Sequence, residues 1–112
     1  MLPQRIKHKS HRENAGKRCP AHAAWVRGFA CSNPKCATDE PIEFAHVRSG
    51  TGGGVGMKPS DRHGISLCRA CHCRQHLIGE AAFEAETGID MRALADEFAR
   101  KSPHWPKLRE MV

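Results

Sequence analysis

Apolar positions in this chain come in short clusters, and the spacing within them changes from one cluster to the next. From Pro20 to Val26, the residues Ala21, Ala24, Trp25 and Val26, with proline at the start and Gly28 just past the end, predict a short helix. Trp25 is expected in the core, and His22, three positions earlier and close to the same face, is expected to pack or hydrogen-bond. Over Pro41–Arg48 the period shortens to two. Ile42, Phe44 and His46 share one parity and Val47 opens the other, so the segment reads as a strand with His46 near its end. Ser49 to Gly56 then carries five glycines in eight residues. Such a loop exposes backbone N–H groups and allows close approach to a phosphate. It lacks the Gly-Lys-Ser/Thr ending of a P-loop and continues instead as Met57-Lys-Pro-Ser-Asp61.

Ile65–Leu67 predicts a short return strand leading into Cys68, with a helix from about Arg69. A second helical stretch runs from Gly79 to Glu86 and closes at Thr87-Gly88. Asp90 is placed to cap a third, Met91 to about Lys101, whose face bearing Met91, Leu94 and Phe98 is the expected core side. Ser102-Pro103 ends that helix, Trp105 folds back onto it, and His104 stays on the surface. Glu80, Glu84 and Glu86 read as helix surface. The fold class that follows is a small α+β domain.

Composition sharpens this outline. With 112 residues, two tryptophans, four phenylalanines and no tyrosine, one domain can bury only a thin aromatic core, so a bound metal would add stability that packing lacks. The formal charge of +6 favours a polyanionic partner. Residues 1–18, with Arg5, Lys7, His8, Lys9, His11, Arg12, Lys17 and Arg18, form a basic arm, expected to be disordered when free and able to lie along a phosphate backbone. A solubilising tail is the alternative. The domain proper is residues 19–112. No apolar run approaches the ~20 residues of a membrane span, and no apolar signal segment opens the chain, so a cytoplasmic location is expected. In a reducing compartment six cysteines read as zinc ligands rather than disulfides.

Cysteine spacing supports that choice. Cys31 and Cys36 are separated by four residues, including the turn signal Asn33-Pro34, and Cys68 and Cys71 by two. Two such pairs closing one long loop predict a structural Zn²⁺ on Cys31, Cys36, Cys68 and Cys71. Cys19 is left as a spare thiol. On a helix each residue turns ~100°, so His72 and His76 share a face, Cys71 points elsewhere, and Cys73 does not join the zinc. The segment Cys68–His76 is thus either half of a zinc site plus an imidazole pair for a second, exchangeable metal, or a single knuckle with a stray His76.

Taken in order, these stretches resemble the HNH (His-Me finger, ββα-metal) endonuclease superfamily in its zinc-stapled form, closest to small phage and prophage nucleases of the Ref and YbcO kind. The residues that carry the resemblance are His22-Ala-Ala-Trp-Val-Arg27, Ala45-His-Val-Arg48, Gly56-Met-Lys-Pro-Ser-Asp61, Leu67-Cys-Arg-Ala-Cys-His72 with His76, and Thr87-Gly-Ile-Asp90. The resemblance implies a ββα-metal domain stapled by the four-cysteine zinc, with flanking helices. It implies His46 as general base and His72 as a catalytic metal ligand, with His76 a second ligand as in colicin-type members. Asp61 is implied as a further ligand or as the group orienting the base, with His63 the second choice. Many members carry Asp or His immediately before the base, and this chain has Ala45, which leaves the metal one ligand short.

The implied activity is metal-dependent hydrolysis of phosphodiester bonds in DNA. That chemistry needs a base working near neutral pH, the range of imidazole, and a cation to stabilise the crowded phosphate and the departing oxygen. One catalytic divalent ion (Mg²⁺, Mn²⁺, Ni²⁺ or Zn²⁺) on His72, His76 and Asp61 would serve. Arg48, Lys58, Arg62, Arg69 and Arg74 are the expected backbone-phosphate contacts. The substrate the resemblance implies is DNA, free or carried on a recombinase-DNA filament. A non-catalytic zinc-stabilised nucleic-acid-binding module and a phage recombination-accessory protein with a decayed site are the alternative readings.

Overall fold

β1 (Ile42–His46) and β2 (Gly64–Cys68) pair antiparallel, with Ile42 opposite Cys68 and His46 opposite Gly64. One end of this ribbon therefore reaches the cysteine cluster and the other the candidate base. The structure is a computed structural model, and it describes residues 3, 16–36, 38, 40–49 and 59–111. Most of the basic arm, the glycines of the long loop and Lys58 lie outside the described residues.

Among the described residues, five helices accompany the strands: α1 (Pro20–Val26), α2 (Arg69–Ile78), α3 (Glu80–Thr87), α4 (Met91–Lys101) and the single turn α5 (Trp105–Leu108). Pro20 opens α1 at its first turn, where a missing N–H costs nothing. Asp90 caps α4 by accepting a hydrogen bond from the Ala93 N–H at 3.0 Å. Gly88 ends α3 with φ +77°, a left-handed C-terminal residue. Gly79, between α2 and α3, has φ 87° and ψ 161°, a region open essentially to glycine alone. That turn starts α3 immediately after α2 and brings Glu80 back towards the end of β1. None of the helices formed by the described residues is long and apolar enough to cross a membrane.

The ribbon is covered on both faces. Ala45 and Val47, not Ile42 and Phe44, join Ile65, Leu67, Phe83, Met91 and Ala95 in the main core. Ile42, Phe44 and His46 are half-buried on the other side, where Phe44 meets His22 of α1 edge-on at 5.8 Å between ring centroids. All five residues of β2 are buried, as expected for a strand enclosed by helices. Gly64 lies beneath the Phe44 ring, and any Cβ there would collide with it.

Other positions differ from expectation in how deeply they are buried. On α4 the fully buried face is Met91, Ala95 and Ala99, while Leu94 and Phe98 are half-buried. Trp25 is likewise half-buried, forming an aromatic cluster with Phe29 and Phe98 over a groove of about 300 Å³. Helical periodicity identifies the correct side of α4, yet the smallest residues sit deepest because the neighbouring elements approach them most closely. Trp105 does fold back, packing beside Cys19, Ala99, Leu108 and Met111. His104 is half-buried at the start of α5 rather than exposed.

His22 is wholly buried, and its Nδ1 lies 2.9 Å from Ser102 Oγ. Nε2 has no hydrogen-bond partner among the described residues. Burial pushes its pKa down from 6.5 to about 4, opposed by the charge of Asp61 and assisted by His104. An unfolded chain takes up this proton below pH 6.5 while the folded protein resists it. Stability is therefore full above pH 6.5 and falls as pH drops towards 4, by roughly 3 kcal/mol from this residue. Melting curves across that window should show a steeper pH dependence for wild type than for His22→Gln. Identical slopes would refute the assignment.

Candidate functional site

Two groups of side chains flank α2. At the first, Cys31, Cys36, Cys68 and Cys71 bring their sulfurs within 4.8 Å of one another. Sulfurs about 2.3 Å from a tetrahedral zinc stand about 3.8 Å apart, and Cys36 Sγ to Cys68 Sγ is 3.7 Å. The four thiols can hold a metal ion, and the set is compatible with zinc. Its local support comes from the fold. Cys68 caps α2, accepting the Cys71 N–H at 3.4 Å, and Asn33 Nδ2 donates to Cys71 Sγ at 3.5 Å. Burial would raise Cys68, but hydrogen bonds from the Cys71 N–H and neighbouring thiols hold it below the ordinary thiol range. Burial pushes Cys71 up to about 12, and the hydrogen bond with Cys68 raises Cys36. A metal entering this group displaces protons, so its binding weakens in acid. Cys73 is exposed and Cys19 is buried in the other core, both outside the cluster.

The second group surrounds the end of β1. Asp61, almost fully buried, receives the Cys19 N–H on Oδ2 at 2.8 Å. Its Oδ1 lies 3.0 Å from Arg18 Nη1 and 2.9 Å from His46 Nε2. Arg18 also donates to the Pro59 carbonyl at 2.9 Å. Burial alone would raise the Asp61 carboxyl, yet the hydrogen bonds from His46, Cys19 and Arg18 outweigh it and hold the group below its usual range. Both carboxylate oxygens are thus engaged, which suits the base-orienting alternative for Asp61 rather than a metal ligand. His63 is buried, with its carbonyl accepting the Val47 N–H at 2.9 Å. Asp61, not His63, meets the ring of His46.

On α2, His72 and His76 do share a face, with their Nε2 atoms 3.2 Å apart. Two nitrogens about 2.1 Å from one ion stand about 3.0–3.4 Å apart, so the pair is spaced to share a metal. His72 Nδ1 meets Glu43 Oε1 at 2.9 Å, and this hydrogen bond holds the Glu43 carboxyl below its usual range. His46 stands between two open clefts. One, of about 630 Å³, is shared with His72, Asp61, Glu43, Arg18 and Arg27. The other, of about 320 Å³, is shared with His76, Arg48, Gln75 and Glu80.

The expected phosphate contacts divide. Arg48 is exposed at the rim of the smaller cleft. Arg69 is exposed and 3.5 Å from Glu43. Arg74 instead forms a two-point ion pair with Glu86, at 3.1 and 2.8 Å, tying α2 to α3. Arg62 lies over the Trp105 ring at 5.2 Å and donates to the Met111 carbonyl at 3.2 Å, so it fastens the C-terminal turn. Lys58 lies outside the described residues. Arg18, the last residue of the basic arm, and Arg27 line the larger cleft.

The acidic residues of α3 are also more than surface. Glu80 accepts both the Arg48 and Ser49 N–H groups, at 2.7 and 2.8 Å, and so pins the backbone just past His46. Glu84 accepts the Met91 N–H at 2.8 Å. No sequence periodicity marks these acceptors, because their donors are backbone groups outside α3 itself. Compared with protein-family models, with curated proteins and with solved structures, the chain matches none.

Proposed function

We propose that this protein is an HNH-type, metal-dependent endonuclease acting on DNA, with a structural zinc on Cys31, Cys36, Cys68 and Cys71. The observation that carries this reading is the hydrogen bond from His46 Nε2 to Asp61, beside a cleft shared with the His72 end of an imidazole pair. An ionised carboxylate can only accept, so the proton of the pair resides on Nε2 and Nδ1 of the neutral ring keeps its lone pair. His46 would take the proton of the attacking water at Nδ1. Asp61, itself anchored by Arg18 and Cys19, fixes the ring and stabilises the imidazolium that results.

His72 and His76 would hold the divalent ion, whose chemistry is to offset the charge that builds on the phosphate and the leaving oxygen. Arg27 and Arg48 at the cleft margins would bind the flanking backbone phosphates without base specificity. Arg18 offsets the charge of Asp61, on which its guanidinium rests. In this proposal the ββα unit is β1, β2 and α2, and the zinc holds the start of α2 to the loop before β1.

The test is nicking of supercoiled plasmid by zinc-loaded protein, with Mg²⁺, Mn²⁺, Ni²⁺ or Zn²⁺ added after weak chelation. Cleavage that depends on the added ion supports the nuclease. DNA binding without cleavage under any of the four ions would overturn it in favour of a non-catalytic nucleic-acid-binding module.

A further inference from the structure

On β1, Glu43 and Ala45 have the same parity, and the two side chains meet different surroundings. Ala45 is enclosed in the main core. Glu43, one step nearer the start of the strand on that face, reaches α2 and meets His72. The His72 ring is thereby held at both nitrogens: Nδ1 on the Glu43 carboxylate at 2.9 Å and Nε2 facing His76 Nε2 at 3.2 Å. Arg69, one turn before His72 on α2, sits 3.5 Å from the other carboxylate oxygen of Glu43. The carboxylate is thus itself oriented, from the same helix that carries the two imidazoles.

We infer that Glu43 is a positioning residue for the divalent-metal pair, fixing the His72 tautomer so that Nε2 faces the ion. The inference rests on the proposal that His72 and His76 bind that metal. Its physical basis is general. A ligating imidazole must present an unprotonated nitrogen, and its other N–H needs an acceptor to set both tautomer and ring angle. A carboxylate in that position also makes the imidazole a better donor to the metal. Glu43 acts through Nδ1 and not on the metal, because Nε2 is the atom directed at His76.

The experiment titrates Mn²⁺ into zinc-loaded protein and reads free Mn²⁺ by electron paramagnetic resonance, with wild type, Glu43→Gln, Glu43→Ala and His76→Ala. Circular dichroism and zinc content establish that each variant is folded. Wild type should bind one Mn²⁺, and His76→Ala should abolish binding. Glu43→Ala should weaken binding by about 10–100-fold. Glu43→Gln should fall between, because its amide oxygen still accepts the Nδ1–H while the charge is gone. Unchanged affinity in Glu43→Ala, with His76→Ala defective, would overturn the role of Glu43 and leave the metal pair standing. Binding retained by His76→Ala, or absent from wild type, would overturn the metal pair and the inference with it.

Discussion

Cys71→Ser is expected to strip the protein of tightly bound zinc and leave it largely unfolded. The four sulfurs join the loop before β1, the end of β2 and the first turn of α2, segments that otherwise share few buried apolar side chains. Apparent metal-binding free energies at structural cysteine sites are about 10–16 kcal/mol, against about 5–15 kcal/mol for the whole stability of a small domain. Removing one ligand forfeits much of the first quantity and leaves three clustered thiols without their cation. Cys73→Ser changes an exposed side chain and should stay within about 0.5 kcal/mol of wild type. Zinc content by mass spectrometry, together with thermal melts of both variants, checks the pair. A Cys71→Ser protein that melts like wild type with its zinc intact would show that the sulfurs do not hold the metal.

How much of this was legible from the sequence depends on whether an interaction is local. Cys31 with Cys36, Cys68 with Cys71, and His72 with His76 could be read directly, since turn and helix geometry convert each spacing into a direction. The convergence of the two cysteine pairs followed from chemistry, because four thiols at such spacings have few other uses in a reducing compartment. Asp61 was legible as a candidate, but its role was not. Only the fold shows that Arg18 and the Cys19 N–H come back across more than forty residues to occupy it together with His46. Glu43 carries no local signal, because the imidazole it meets lies 29 residues further along the chain. Arg62 and Arg74 show the same thing: positive charge near a site in sequence does not reveal which carbonyl, ring or carboxylate it meets in space.

His46→Ala is expected to lower the plasmid-nicking rate by about 10²–10⁴-fold, the usual contribution of a positioned general base. Zinc content and melting temperature should change little. The side chain is a quarter exposed at the cleft rim, and its removal leaves Asp61 still bound by Arg18 and the Cys19 N–H. Asp61→Asn should behave differently. Its amide oxygen can accept from His46 only by turning its NH₂ group towards the Cys19 N–H, which sets donor against donor in a buried site. The variant should therefore lose about 1–3 kcal/mol of stability in addition to its activity. The rate loss should be on the order of 10²-fold or more, because a neutral amide, whichever way it turns, no longer stabilises the imidazolium that forms at His46. The expected contrast is diagnostic: His46→Ala should change rate alone, while Asp61→Asn should change rate and stability together. Added imidazole should partly restore cleavage by His46→Ala, whose cavity opens to the cleft, and should do nothing for Asp61→Asn. A His46→Ala protein that nicks plasmid at the wild-type rate would remove this histidine from the chemistry.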